Sequence, residues 1–285
     1  MKNSSQDNEI KRDGIKFKIL MWIILLFFLF YTLVPMVWLL IASLKTNVEL
    51  VTSPFSIPKH PQWGNYVNAF KVSGIGRLFL NSIIVSLAAT TLNVLVACMA
   101  SYPLSRFKFK GREIIFTMFV VGVLVPINSL MVPYFKLITK LHLYDSLFAL
   151  ILTYSAIGLP VSVFIIRGFM STIPVELEEA GIIDGCTFYQ RFFKIIFPMT
   201  KTGIATAATF QFLLCWNEFL YAMLLTSSQK NRTIQLGIRY FSNQFTTDYV
   251  SMYAAIVISI IPSIVGYMIF QDKIVAGLTS GAVKG

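Results

Sequence analysis

The chain is short of charge. Asp, Glu, Lys and Arg make up 13% of its 285 residues and hydrophobic residues 56%, whereas a soluble domain carries roughly 25% charged residues. Histidine is nearly absent: His60 and His142 stand alone, with no carboxylates at metal-ligand spacing, so no metal site is expected. Cys98, Cys186 and Cys215 are odd in number, widely spaced and mostly within apolar runs, which suits neither a disulfide framework nor a zinc site. No GxxxxGK[ST] phosphate loop occurs, so ATP is not bound by that means. Thr279-Ser280-Gly281-Ala282 follows an apolar run rather than a strand and lacks the setting of a nucleophile elbow. No catalytic residue and no cofactor is therefore expected in this chain, and any energy source must come from outside it.

Long uncharged runs are what it has. Ile19–Leu44 lies between Lys18 and Lys45, and Leu78–Ser105 between Arg77 and Arg106. Ile114–Phe135 follows Glu113, and Ser146–Ile166 lies between Asp145 and Arg167. Thr202–Gln229 is uncharged except for Glu218, and Tyr249–Gln271 lies between two aspartates. Each reaches the length of about 20 residues needed to cross a hydrocarbon core about 30 Å thick as a helix. Backbone groups in such a span must bond internally, so helices are expected. The fold class read from this is an all-α membrane protein with six transmembrane helices: a tail over 1–18, a six-span domain over 19–272 and a second tail over 273–285. The first run is too long for a signal-peptide core of about 7–15 residues and is read as a retained span, the polar segment before Lys16 being a frayed tail.

Basic residues set the orientation. With both termini inside, fifteen of the 24 Lys and Arg fall on the cytoplasmic side and nine outside, most densely in Lys11-Arg12 and in RFKFKGR at 106–112. That is the positive-inside pattern, and it accounts for the net charge of +11 without nucleic acid. It also places the loop over 171–198 in the cytoplasm.

Polar residues within the runs are candidates for a solute pathway. Pro126 and Pro133 share a face and kink the third span, either lining a pathway or packing, with Asn128 between them. Gln211, Asn217 and Glu218 sit in the fifth. An acid at mid-bilayer costs about 2.5–3.5 kcal/mol on insertion scales, so Glu218 is expected to face a polar cavity or, as Ser227-Ser228-Gln229 nearby favours, to lie toward the outer end. Asn81 and Asn93 are read as interhelical hydrogen-bonding residues, and Trp38, Tyr31 and Tyr221 as interface anchors.

The segment PVELEEAGIIDGCTFYQRFFKIIFP (174–198) looks like a soluble element between spans. Pro174 suits a helix start, and Glu176, Glu178 and Glu179 place negative charge at the positive end of its dipole. Leu177, Ala180 and Ile183 recur every three residues, giving one narrow apolar face. Gly185 supplies a left-handed stop. Thr187 with Gln190 forms a capping box for a second short helix, which Pro198 closes. Two short helices meeting at a glycine make a docking module for a soluble partner.

The order Glu179-Ala180-Gly181-Ile182-Ile183-Asp184-Gly185, followed by Ile195-Ile196-Phe197-Pro198, resembles the cytoplasmic loop of permease subunits in binding-protein-dependent ABC importers. Gly181 stands where that family usually has Ala, which loosens the helix by roughly 1 kcal/mol, and Thr202 stands where it often has a second proline. WNEFLYAMLLTSS (216–228), RTIQLGI (232–238) and AGLTSGAVKG (276–285) resemble the smaller permease of carbohydrate, maltose-type transporters. The resemblance implies a type I ABC importer permease fold, a second related permease, two ABC ATPase subunits holding the ATP and Mg, and an extracytoplasmic sugar-binding protein, in a bacterial cytoplasmic membrane. It implies that Glu176, Glu179, Ala180, Gly181, Asp184 and Gly185 meet an ATPase, with Glu179 making an ionic contact. Gly281, Lys284 and Gly285 would approach the ATPase interface, and Asn243, Gln244 and Phe245 would reach the binding protein. Two other readings stay open: an ion-coupled secondary carrier acting alone, which needs buried acids and repeat symmetry, and an importer for another solute such as a glycerophosphodiester.

Overall fold

The computed structural model describes residues 3–238 and 248–282, with side chains for 17–71, 74–238 and 248–268. In chain order the helices are α1 (Asn3–Ser43), α2 (Asn47–Thr52), α3 (Gly64–Ser73), α4 (Ile75–Arg106), α5 (Arg112–Leu124), α6 (Met131–Lys140), α7 (Leu147–Ile157) and α8 (Leu159–Met170). Next come α9 (Glu176–Ile183), α10 (Phe188–Gln190), a π-helical turn over Arg191–Ile196, α11 (Phe197–Met199), α12 (Lys201–Asn217), α13 (Leu220–Leu225), α14 (Ile234–Gly237) and α15 (Tyr249–Ala282).

All six apolar runs are helical, but among the described residues only three are unbroken helices long and apolar enough to span: Phe17–Ser43, Ile75–Arg106 and Tyr249–Met268. The third and fourth runs are bent pairs, Arg112–Leu124 with Ile127–Lys140 at 99° and Leu147–Ile157 with Leu159–Met170 at 48°. The fifth stops after the 17 residues of α12 and resumes as α13. Proline explains the first break: α5 ends at Leu124, Val125 turns to extended backbone and Pro126 leads a 3₁₀ turn over Ile127–Leu130. Pro133 does not kink anything, because it lies in the first turn of α6, where a missing N–H costs no helical bond. At the two ends, α1 begins at Asn3 and α15 runs on to Ala282.

The chain divides into two compact units, 1–69 with 241–257 and 70–240 with 258–285. In the first, Ala42, Leu50 and Val250 form a small core beside Trp38 and Tyr253, whose rings meet edge-on at 5.6 Å. Lys45 is fully buried there. Its ammonium donates to the carbonyls of Ser53 at 2.6 Å and Pro54 at 3.0 Å, so the loop's own backbone solvates the charge.

The second unit is built around α4, against which α7, α8 and α12 pack. Small residues on α4 such as Ala89, Ala97 and Ser101 are fully buried and let the helices approach closely, the usual device where no hydrophobic effect drives association. Asn93 donates to the Ser155 carbonyl of α7 at 2.7 Å, the interhelical bond expected of it. Asn81 instead clamps the loop between α13 and α14, donating to the carbonyls of Lys230 and Arg232 at 2.8 and 2.9 Å. Tyr221, expected at an interface, is buried at 1% exposure, whereas Tyr31 is 71% exposed.

Candidate functional site

In the loop between α8 and α12 the glycine stop and the capping box form as the sequence directs, whereas Pro198 stands in the first turn of α11 rather than closing a helix. Val175 is the N-cap of α9, one residue after Pro174, and the three glutamates occupy its first turn. At the other end the Cys186 N–H donates to the Gly181 carbonyl at 2.8 Å and the Gly185 N–H to the Ile182 carbonyl at 3.0 Å. Those two bonds form a Schellman stop, which needs the left-handed φ of 78° that Gly185 supplies. The Thr187 N–H donates to Gln190 Oε1 at 2.8 Å and the Gln190 N–H to Thr187 Oγ1 at 3.3 Å, completing the capping box. From Arg191 the chain winds into a π turn rather than a regular helix, a bulge often found at functional positions.

The face that α9 buries is not the apolar one. Leu177 and Ala180 are exposed and Ile183 is 86% exposed, while Glu178 and Gly181 are buried. Glu178 turns inward to the end of α4: it accepts from the Tyr102 hydroxyl at 2.5 Å and lies 3.1 Å from Arg106 Nε, an ion pair with both side chains under a tenth exposed. The Tyr102 ring packs on Phe188 and Phe192 with centroids 5.3 and 5.1 Å apart. Gly181 fits because a Cβ there would stand 2.5 Å from the Ile195 Cδ1 methyl. Rather than only loosening the helix, it lets α9 sit down on the π turn. The result is a rigid knob with an outward face of Leu177, Ala180, Ile183, Glu176, Glu179 and Asp184, all exposed. Such a tip offers apolar area and negative charge together to a partner.

In the sequence Glu178 is indistinguishable by charge from Glu176 and Glu179, all three suiting the helix dipole. Its signal was its position three residues before Gly181, a small residue sharing its face of the helix. Tyr102 and Arg106 are more than 70 residues upstream and carry no local mark.

A second polar system joins the three broken spans. The Tyr154 hydroxyl of α7 donates to Glu218 Oε2 at 2.7 Å. Glu218, between α12 and α13, also accepts from the N–H groups of Tyr221 at 2.8 Å and Ala222 at 3.0 Å. The Tyr221 hydroxyl then donates to the Ile127 carbonyl at 2.8 Å, in the gap between α5 and α6. Gln211 donates to the Tyr154 carbonyl at 2.9 Å and fills the notch at Gly158, where a Cβ would stand 1.6 Å from Gln211 Oε1. Non-helical backbone at membrane depth is tolerated only when bonded within the protein or lining a cavity, and these side chains do the bonding.

Among the four pathway residues read from sequence, Gln211 is buried at 2% exposure and braces α12 on α7. Glu218 is half-buried and holds a break together. Asn217 and Asn128 are exposed, the Asn217 amide donating to the Leu213 carbonyl at 2.9 Å. Asn243, Gln244, Phe245, Lys284 and Gly285 lie outside the described residues, and Gly281 is described only as part of the α15 backbone. No group of three or more His, Cys, Asp or Glu able to hold a metal occurs among the described residues.

Beyond α6 and α13 the connecting loops are locked by Asp145, a non-glycine residue at φ 58°. Its carboxylate accepts from the N–H groups of Ser227 and Ser228 at 2.9 and 3.0 Å, and its carbonyl accepts from the Asn231 amide. Desolvation pushes the carboxyl pKa up, but hydrogen bonds from Ser228, Ser227 and Asn231 outweigh it and hold the group down at about 2.

Residues 93–280 match the family described as binding-protein-dependent transport system inner membrane component. The chain is 36% identical over 254 residues to the diacetylchitobiose uptake system permease protein NgcG of Streptomyces coelicolor, covering 88% of this chain and 84% of that one. It is 36% identical over 254 residues to the sulfoquinovosyl glycerol transport system permease protein SmoH of Agrobacterium fabrum, covering 89% of each. With the trehalose transport system permease protein SugB of Mycobacterium tuberculosis it shares 35% over 257 residues, 90% of this chain and 93% of that one. Its fold superposes on a chain of a bacterial ABC transporter that imports alginate, with a TM-score of 0.82 at 20% identity over 92% of this chain and 97% of that one. The chain is thus a multi-pass membrane protein with the type I importer permease fold, and it belongs to the family of inner membrane components of binding-protein-dependent transport systems.

Proposed function

We propose that this chain is one of two related permease subunits of an ATP-driven importer that takes up an oligosaccharide or modified sugar. Two separate ABC ATPase subunits, with their ATP and Mg, supply the energy, and an extracytoplasmic sugar-binding protein delivers the solute. Both termini and the α9 loop lie in the cytoplasm. The single observation that carries this reading is the exposed apolar and acidic tip of α9, held on the end of α4 by a buried ion pair. The solute class rests on the relatives, whose names specify diacetylchitobiose, sulfoquinovosyl glycerol and trehalose.

On ATP binding the ATPases close and carry the α9 tips with them. Glu178, Tyr102 and Arg106 pass the displacement into α4, and the helices packed on α4 move with it. The bundle then alternates between inward- and outward-facing states, because each nucleotide state makes different contacts with the tip. The breaks at 125–126, 158 and 218–219 are where the spans can bend without losing backbone bonds. An ion-coupled carrier acting alone would need an available acid within the spans, and Glu218 is instead occupied as a cap by three donors.

The test is reconstitution of the purified complex in proteoliposomes with its binding protein. Glu179→Ala or Gly185→Val lowers ATP-dependent sugar uptake while helix content and elution profile stay normal. Unchanged uptake and unchanged sugar-stimulated ATP hydrolysis in both variants would refute the assignment of the loop.

A further inference from the structure

Beyond Phe107, which packs on Tyr102 and Phe188, the connection between α4 and α5 has no role in the transport cycle. It leaves one apolar helix at Arg106 and enters another at Arg112, so it borders the membrane surface. Lys108, Phe109, Lys110 and Arg112 line an open recess of about 520 Å³ there. A second recess of about 420 Å³ shares Glu113 and Ile114 with the first and continues along α5 past Thr117, Met118 and Val121. Ile114, Met118 and Val121 fall at i, i+4 and i+7, one stripe of the helix, and are 64%, 68% and 51% exposed. The stripe from 114 to 121 covers about 10 Å along the axis.

The charges around the recess are unequally matched. Glu113, the acid at its mouth, lies 2.6 Å from Arg112 and 3.4 Å from Arg167, so two guanidiniums neutralise it. Lys108 and Lys110 are exposed and make no ion pair among the described residues. A cationic pocket at the membrane surface therefore opens directly into an apolar trough that runs into the bilayer. We propose that this pocket and trough bind an anionic phospholipid, its phosphate head between Lys108 and Lys110 and an acyl chain along Ile114, Met118 and Val121. A free phosphate would use the lysines but not the trough, and a zwitterionic lipid would use the trough while gaining little from the lysines. Basic pockets beside membrane helices are suited to such head groups, and each lysine near the surface contributes to the attraction.

The proposal is tested on the full chain, purified in mild detergent with its accompanying subunits, washed in phosphatidylcholine micelles and titrated with phosphatidylglycerol, retained lipid being measured by mass spectrometry. Saturable retention of phosphatidylglycerol over phosphatidylcholine is expected. Lys108→Gln with Lys110→Gln weakens it roughly 25-fold, on the scale of one contribution per lysine, without changing phosphatidylcholine. Lys108→Arg with Lys110→Arg restores it, and Val121→Trp, which fills the trough, weakens it with both lysines in place. If the glutamine pair elutes as aggregate, the arginine pair and Val121→Trp still decide. Retention indifferent to all these changes overturns the site. So does competition by glycerol 3-phosphate at matching affinity, which would mean a phosphate pocket without an acyl chain. Cross-linking of a Met118→Cys variant to a protein subunit in place of lipid overturns it as well.

Discussion

Replacing Glu178 with alanine is expected to undock α9 without unfolding the spans. The residue is 5% exposed, its carboxylate accepts from Tyr102, and Arg106 lies 3.1 Å away with a side chain 5% exposed. Removing one partner of a buried pair leaves the other charge unpaired and costs about 3–5 kcal/mol. The contact joins a loop to a helix end, so the cost falls on local opening rather than on the whole bundle. At about 1.4 kcal/mol per decade, the open population of the loop rises by roughly two to three and a half orders of magnitude. Hydrogen exchange over residues 176–186 in the purified complex reads this directly. Glu178→Gln keeps an acceptor for Tyr102 and has a smaller effect. Combining Glu178→Ala with Arg106→Met removes both charges and recovers part of the protection, the non-additivity expected of a coupled pair. A rise in exchange under about fivefold for Glu178→Ala, or simple additivity in the double variant, would refute the reasoning.

Three further outcomes are expected. Gly185→Val forces a β-branched residue to the φ of 78°, costing about 1–2 kcal/mol; proteolysis within 183–188 should accelerate, and an unchanged digestion pattern would count against the strained stop. Gly158→Ala sets a Cβ into Gln211 and costs about 1–3 kcal/mol by overpacking, read as a lower melting temperature that Gln211→Ala partly restores. Asp145 is held at about 2 against an ordinary 3.8, so its contribution is complete above pH 3.8 and is lost as pH falls toward 2. The melting-temperature gap between the natural chain and Asp145→Asn should therefore be constant from pH 7 to 5 and shrink below 4, and a gap that widens on acidification would contradict the lock.

Local chemistry made much of this legible. Six apolar runs read as helices because uncharged length has few other solutions, and the α9 stop and the capping box follow from Gly185, Thr187 and Gln190. Breaks were harder to place. Pro126 and Pro133 look alike in sequence, yet only Pro126 accompanies a break, because Pro133 falls in a first turn. Nothing near Glu218 distinguishes a mid-span acid that faces a cavity from one that caps a helix. That depends on Tyr154, 64 residues away. The same holds for Gln211, whose role is set by the notch at Gly158. Glu178 was hidden because the apolar periodicity of α9 marks the face it offers outward, while the face it buries is an acid and a glycine.

We infer that the exposed tip of α9 is the seat of a separate ATPase. The most direct measurement is affinity purification of the tagged chain from its own cells beside an Ile183→Asp variant, with co-purifying proteins identified by mass spectrometry. Ile183 is 86% exposed, so the substitution leaves the fold intact and alters only the outward face. A phosphate-loop ATPase and a second permease are expected with the natural chain, and the second permease without the ATPase in the variant. Recovery of the chain alone, or of the ATPase equally with both, would contradict the claim.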